Sequence, residues 1–570
     1  MKTYRYSAGA PSRRDILRTA AACALQSMAL GCMGPIFRPQ SPDAALTEVD
    51  SESPGATRLV SAVAHPYGMD FVKVENVALV TGLDGSGEDP APSPQRAALL
   101  AELNRREIKN PNEVLASPNT ALVLVRGFLR PGIQEGDPFD VEVRTPTRSD
   151  TTSLRGGWLM ETRLTEMAVL GGQVRTGHEM AYAVGPILVD PSASADSDPA
   201  LSTVGRVLTG GVATKSRQLG LILDHQHQSY RLSQLVGKAV SERFHTYIDG
   251  RRMGVATPKR PEYIELALHP RYKDNVGRYM RVVRSVAIDE GPVQRMERLK
   301  LLSDQLLDPV TAETAAVRLE AVGGDEAIEI LKKGAKAEDR EVRFYSAEAL
   351  AYLDVTEAVA PLARAAVDEP AFRVAALSAL GAMEDGASSE ALAEMLSVKS
   401  AETRYGAFRG LTSMAPDDRR IRGEKLGPGG KFNYHVLDVG GPPMIHATSS
   451  HRQELVLFGK EHHFKLPAVL DAGPRIMVNG LNGSQFTISR FSPGEPTQQR
   501  IVSTNVDEVI RAVVDLGGDY PDVVQMLQQA KNCGALPSRF RVNALPEPGR
   551  TVDREENPKS SDAKLLTNAN

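Results

Sequence analysis

Cysteine is nearly absent: Cys23, Cys32 and Cys533 are the only three in 570 residues. Two of them fall in the first 32 residues, so no disulfide framework stabilises this fold. Aromatic side chains make up 5% of the chain, with Trp158 the single tryptophan. That leaves little material for a surface that stacks sugars or bases. An excess of one charge is missing too. The 67 Lys and Arg against 71 Asp and Glu give a formal net charge of -4, without the basic footprint of a nucleic-acid binder. A membrane span needs about 20 consecutive apolar residues. The N-terminal candidate, Ile16 to Cys32, is shorter and is broken by Arg18, Thr19, Gln26 and Ser27.

Catalytic patterns are equally scarce. Gly82-Leu83-Asp84-Gly85-Ser86-Gly87 looks like a phosphate cradle but lacks the Gly-Lys-Ser/Thr ending of a P-loop and the spacing of a dinucleotide fingerprint. No Gly-x-Ser-x-Gly elbow is present. His225 and His227, beside Asp224, are expected on a strand and on one face of it, an arrangement that offers two metal ligands. Without His-Glu-x-x-His or Cys-x-x-Cys, they read as surface histidines, and no such motif accompanies His435, His446, His451, His462 or His463. The carboxylates Glu88 and Asp89 sit in a polar loop. The reading is a protein with no enzymatic role, no cofactor and no metal. An enzyme using histidines near 225 or 446 is a minor alternative.

What is present begins with an address. Residues 11–32 place basic residues before an apolar stretch and small residues, the layout of a bacterial export signal. Ser12-Arg13-Arg14-Asp15-Ile16-Leu17 is similar to the twin-arginine export motif. Ala29-Leu30-Gly31-Cys32 resembles a lipobox, which makes Cys32 a candidate lipid attachment. Residues 33–56 are rich in Pro, Ser and acidic residues and read as a flexible linker. It would span roughly 25–30 Å.

A hydrophobic core stops growing at about 250–300 residues, so three or four domains are expected. Residues 57–300 alternate strand-like runs with Gly, Pro and Asp clusters: Val72-Lys73-Val74, Ala121 to Val125, and Phe139 to Val143. Helices are expected at Pro94–Arg106 and Leu232–Phe244. Residues 301–416 lose strand signals and repeat. Glu341-Val342-Arg343-Phe344 leading to Ala349-Leu350 returns as Phe372-Arg373-Val374 leading to Ala379-Leu380. It returns again as Glu402-Thr403-Arg404-Tyr405 leading to Gly410-Leu411, the arginines being 30 and 31 residues apart. A weaker first copy runs from Ala312 to Gly323. A helix pair cannot bury its own apolar face, so such copies stack into a solenoid, and these units resemble HEAT-like repeats. Two uses stay open: a spacer that closes its own core, or a concave docking surface for another protein. The repeated arginine reads as a residue that satisfies helix-end carbonyls or pairs with an acidic neighbour. Residues 417–550 return to strands and turns, with Glu454 to Phe458 a strand and 504–535 helical. Residues 551–570 read as a disordered tail. The fold class is α+β and multidomain, strand-rich regions interrupted by a short α-solenoid.

Three stretches resemble the flagellar P-ring family. The first is Glu75-Asn76-Val77-Ala78-Leu79-Val80-Thr81 followed by the turn Gly82 to Asp89. The second runs from Ser117-Pro118-Asn119-Thr120 through Arg130-Pro131-Gly132, Gly136-Asp137-Pro138-Phe139 and Ser153-Leu154-Arg155-Gly156-Gly157-Trp158-Leu159 to Tyr182-Ala183-Val184-Gly185-Pro186-Ile187. The third, Val506–Val542, includes Cys533-Gly534-Ala535-Leu536. The resemblance covers roughly half of the chain; residues 300–415 have no counterpart in it, and 417–500 diverge.

What the resemblance implies is a structural subunit in the periplasm, at the flagellar basal body, that assembles with copies of itself into a ring acting as a bushing around the rod. The implied partners are the rod, the L-ring protein and the peptidoglycan layer, with no nucleic acid. Glycine-rich turns at strand ends suit the fixed geometry that ring closure demands. Arg155 is the candidate assembly contact, between subunits or between domains. The alternative is a lipid-anchored envelope scaffold or binding protein, built from the same domains but unconnected with motility, that uses the repeats to dock a partner.

Overall fold

The computed structural model describes residues 57–550, apart from 171–172, 191–198, 249, 428–429, 482–483, 493 and 547–548. The chain enters through β1 (Ala64–Tyr67) and β2 (Val72–Thr81), followed by helices α1 (Pro94–Arg105) and α2 (Pro111–Leu115). Next come β3 (Ala121–Leu129), β4 (Pro138–Arg144), β5 (Trp158–Leu170), β6 (Gln173–Pro186), β7 (Leu188–Val189), the one-turn α3 (Pro199–Ser202) and β8 (Val204–Ala213).

Antiparallel pairing runs β4-β3-β2-β5-β6-β8, and β8 pairs back onto β4, so these strands close into a barrel. Alternation does the sorting. On β4, Phe139, Val141 and Val143 are buried while Glu142 and Arg144 face outward. Inside, they meet Val74, Val80, Val123, Val125, Leu159, Ala183 and Val207. Phe139 needs room on both sides: a Cβ on Gly127 of β3 would lie 2.5 Å from its ring, and one on Gly211 of β8 would lie 2.7 Å from it. Leu79 and Leu122 point the other way and are covered by Leu99, Leu103 and Leu115 of α1 and α2.

A second sheet, β1-β9-β13-β12, uses β9 (Leu219–Leu223), then β12 (Ala256–Pro258) and β13 (Tyr263–Leu266), all antiparallel. Between them lie α4 (Tyr230–Arg243), capped by Ser229, and the two-stranded β10 (His245–Ile248) with β11 (Arg251–Gly254). Helix α5 (Val276–Arg284) closes this part.

Eight helices follow: α6 (Pro292–Leu306), α7 (Ala312–Val322), α8 (Gly324–Gly334), α9 (Arg340–Tyr352), α10 (Val359–Asp368), α11 (Arg373–Ala382), α12 (Gly386–Met395) and α13 (Ala401–Met414). Helices α7, α9, α11 and α13 form one row, each packed on the next, and the other four form a second row against it. The repeats expected from the arginine spacing are therefore helix pairs, with each arginine in the first turn of α9, α11 or α13.

The last part has a mixed sheet, β14 (Gly423–Leu426), β15 (Phe432–Leu437), β16 (Met444–Ala447) and β17 (Glu454–Phe458), in the order β14-β15-β17-β16, with the final strand beside β16. A meander of β18 (Ala468–Ala472), β19 (Ile476–Gly480), β20 (Phe486–Arg490) and β21 (Gln498–Val502) leads to α14 (Val506–Asp515), α15 (Tyr520–Asn532) and β22 (Arg539–Val542). The core is continuous across what sequence reads as separate parts. Leu221 and Ile264 of the second sheet, Leu350 and Phe408 of the helical repeats, and Val456 and Phe458 of β17 belong to one buried cluster. Among the described residues no helix is long and apolar enough to cross a membrane.

Candidate functional site

Arg13, Arg14 and Cys32 lie outside the described residues. The histidine pair is a correction to the sequence reading: His225–His227 is a single 3-10 turn, not a strand, so the two rings do not share a strand face. Asp224 is engaged elsewhere, with its Oδ1 2.7 Å from His65 Nδ1. Among the described residues no group of three or more His, Cys, Asp and Glu side chains is placed to hold a metal. His446 is fully buried, stacked 3.6 Å from the Tyr405 ring, and its Nε2 accepts the Ala544 N–H at 2.9 Å. Burial pushes its pKa down to about 3, so it is neutral. His435 donates Nδ1–H to the Ile421 carbonyl at 2.7 Å, and His462 Nδ1 lies 2.9 Å from Ser538 Oγ. These rings are packing and hydrogen-bonding residues.

The glycine-rich stretches singled out from the sequence meet at one end of the barrel. The Gly82–Gly87 turn is laced to the strand-leading loop: Leu83 N–H donates to Asn119 O, and Gly87 N–H to Pro118 O. Ser86 Oγ donates to Ser153 O at 2.8 Å, and Thr152 N–H donates to Ser86 O. The Leu83, Gly85 and Gly87 N–H groups are thus spent within the protein on Asn119 O, Leu83 O and Pro118 O. The same end rests on the C-terminal part. Lys431 Nζ sits 4.3 Å from the Trp158 ring centroid, and Arg155 lines a narrow cleft with Leu188, Pro521, Asp522 and Gln525. Arg155 is half-buried; that burial lowers its pKa, and Asp190 opposes the shift.

The row of α7, α9, α11 and α13 is partly covered by its own chain. The segment at 270–276 crosses it. Arg271 pairs with Asp354 at 3.1 Å, Lys273 donates to Ser413 O at 3.4 Å, and Ser413 Oγ donates to Asp274 at 3.1 Å. Beneath this crossing lies a charged cluster that no local sequence pattern announces. Arg278 of α5 reaches Glu320 of α7 at 2.6 Å and Glu348 of α9 at 2.6 Å, with side-chain exposures of 5%, 0% and 7%. Tyr272 Oη donates to Glu320 at 2.6 Å, and the Arg278 guanidinium lies 4.6 Å from the Tyr352 ring centroid. A buried ion pair contributes little net stability, but losing one partner strands a charge in low dielectric. The cluster therefore holds the repeats to the preceding sheet in one arrangement.

The repeated arginines close helix ends. Arg343 donates to Ala337 O and Glu338 O just past α8, at 2.8 and 2.9 Å. Arg373 donates to Ala366 O and Val367 O in the last turn of α10, at 3.0 and 3.2 Å, and pairs with Glu402 at 2.9 Å. Arg404, fully buried, donates to Leu396 O past α12 at 2.7 Å and to Gly440 O at 3.2 Å. The last bond reaches out of the repeats into the following sheet. Beside it, Tyr405 Oη and Arg409 grip Glu454 of β17 at 2.7 and 3.1 Å. The repeats are thus fastened at both ends to their own chain, the arrangement of a strut.

Residues 62–297 match the family model described as flagellar P-ring protein, and residues 328–412 match that of HEAT repeats. The chain carries a P-ring family region followed by HEAT repeats. The third stretch, Val506–Val542, lies outside both matched spans. Curated relatives include the flagellar P-ring protein of a Bradyrhizobium species, 24% identical over 248 residues, covering 41% of this chain and 61% of the relative. That of a Caulobacter species is 27% identical over 228 residues, 39% of this chain and 58% of the relative. That of Campylobacter lari is 25% identical over 197 residues, 33% and 54%. The chain therefore spans about three fifths, or somewhat less, of the length of the relatives it matches.

Proposed function

We propose that this protein is a structural subunit of the flagellar P ring, exported to the periplasm and assembled with copies of itself into a bushing around the rod. The observation that carries the reading is the P-ring match over 62–297, a span that folds as the closed barrel and its companion sheet. Mechanism here means self-assembly. Each subunit offers two different faces to its neighbours, and closure depends on a fixed rotation between subunits. Stiffness of the subunit serves that requirement, and the strut of helical repeats, fastened at both ends, supplies it. In this reading Arg13 and Arg14 direct export and Cys32 is the lipid attachment. Arg155 is the assembly contact at the barrel end. The rod, the L-ring protein and the peptidoglycan layer are the surroundings.

The test is electron microscopy of detergent-extracted basal bodies from native cells carrying a C-terminally tagged chain, with gold label against the tag. Label on a ring around the rod is expected. Intact rings without label overturn the reading and favour an envelope scaffold unconnected with motility. The mass of the mature N-terminal peptide reads out the lipid on Cys32 separately.

A further inference from the structure

A stack of helix pairs ends in solvent, so its terminal helix needs a polar outer face. At the start of these repeats the opposite holds. Helix α8, in the second row, exposes Asp325, Glu326, Glu329 and Lys333. Helix α6, the first of that row, exposes Val293 at 63% and Met296 at 66%; Leu307 at its end is 60% exposed and Val310 beyond it 73%. At about 100° per residue, Val293, Met296 and Leu307 fall on one side of the helix axis, with Lys300 and Asp304 between them. Leu299, Leu302 and Leu306 turn into the repeats, and Arg295 and Arg298 line a cavity shared with Lys238 and Glu242 of α4. The apolar stripe therefore lies on the side of α6 away from both. Apolar side chains gathered on one exposed face mark a contact with another protein.

A counterpart follows α4 in the chain. The β10–β11 hairpin is seated on the end of that helix, where a Cβ on Gly254 would lie 2.3 Å from Ser241 Cβ. All four residues of β11 are exposed, Met253 at 50%, and Tyr247 of β10 is 70% exposed. Register sets Tyr247 opposite Arg252 and Thr246 opposite Met253. Each face of the ribbon thus carries one large apolar side chain and one arginine: Tyr247 with Arg252, and Met253 with Arg251. A two-stranded ribbon alone is marginal in water and gains from being covered. Tyr, Met and Arg are also the residues in which protein interfaces are enriched. Because the stripe on α6 faces away from α4, the hairpin carried by α4 leaves it bare within one copy.

Charge sorts the pairings open to the stripe. Exposed Glu297, Asp304 and Asp308 flank it against Lys300, so a second α6 laid on it would bring acid against acid. The hairpin has the opposite balance, Arg251 and Arg252 against Asp249. Arg252 donates to Glu242 O at 3.0 Å and lies 3.3 Å from His245 Nδ1, contacts that include no carboxylate. We propose that the β10–β11 hairpin of one copy docks on the exposed stripe of α6 in the next copy. Tyr247 and Met253 then meet Val293, Met296 and Leu307, and the two arginines meet Glu297 and Asp304. The two faces differ and share no element, so the contact is heterologous and repeats from copy to copy. The inference rests on the self-assembly proposed above and names the two faces it uses.

Cross-linking of the full chain in native cells tests this. Met253→Cys and Met296→Cys are introduced together, with Cys533→Ser as background because Cys533 is exposed. A short bismaleimide followed by denaturing gels should give a ladder that runs past the dimer, and neither substitution alone should give it. Arg251→Glu with Arg252→Glu should cut the species above dimer about tenfold, and adding Glu297→Arg with Asp304→Arg should restore them. Circular dichroism of the purified variants confirms the fold. The contact is overturned by no ladder, by a dimer from Met296→Cys alone, by Met296→Cys joined to a different protein instead of a second copy, or by a ladder indifferent to the charge reversal. Gold-labelled basal-body rings without a ladder leave the ring reading standing and sink this contact. A ladder in cells whose rings carry no label keeps the contact and sinks the ring reading.

Discussion

Replacing Arg278 by methionine removes the one cation of the buried cluster and leaves Glu320 and Glu348 facing each other in the core. Methionine is shorter than arginine but close to it in volume, so the cavity left is small. The cost is electrostatic. Removing one partner of a buried pair costs about 3–5 kcal/mol, a large part of the 5–15 kcal/mol that holds a typical domain. Urea unfolding followed by circular dichroism is the assay, with the triple variant Arg278→Met/Glu320→Gln/Glu348→Gln as reference. The triple variant should recover most of the loss, because no charge is then stranded.

The pH dependence has a definite sign. Burial raises the Glu348 pKa, Arg278 lowers it, and Glu320 raises it again, with a net shift upward from the ordinary carboxylate value. Without Arg278 the upward push grows. A carboxylate whose folded pKa is raised destabilises above that pKa and ceases to do so once protonated. The deficit of Arg278→Met should therefore be largest near pH 8 and shrink toward pH 5. A loss below about 1 kcal/mol, or a deficit that grows as pH falls, would refute the claim that this cluster is a buried fastening held by its one cation.

Arg404→Ala should cost about 2–4 kcal/mol by stranding the carbonyls of Leu396 and Gly440, and hydrogen exchange should speed up at the end of α12 and in the loop before β16. His446 is neutral in the fold, with a pKa of about 3 against an ordinary 6.5. The unfolded chain binds that proton first, so stability falls as pH drops below 6.5, by about 2 kcal/mol between pH 6.5 and 5 from this group alone. Unfolding curves of His446→Gln should lack that part of the slope. Gly127→Ala forces a methyl against Phe139 and should cost about 1–3 kcal/mol, whereas Gly127→Ala with Phe139→Leu should regain part of it; a neutral Gly127→Ala would show that the barrel interior yields.

Legibility followed the range of the interaction. Strands such as β3 and β4 were readable because alternate residues must face one core, a constraint local to a few positions. The helix pairs were readable because Arg343, Arg373 and Arg404 recur at the repeat period, and their role at helix ends follows from the carbonyls that any helix leaves unsatisfied. The histidine pair was misread as a strand because a run such as Leu219 to Leu223 carries no signal for where pairing stops; the 3-10 turn at His225–His227 ends it. Arg278, Glu320 and Glu348 went unread because each, taken alone, is an ordinary charged residue on a helix.

By itself the sequence determined the element types, the repeat period and the P-ring resemblance, since periodicity and turn chemistry act between near neighbours. It left open whether the repeats present a concave docking surface. Only the tertiary structure lays residues 271–274 against Asp354 and Ser413 of the repeats and binds Arg404 and Tyr405 to the residues that follow. Contacts between residues more than a hundred positions apart, such as Asp274 with Ser413, are set by how whole layers come together, and no window of sequence holds both partners.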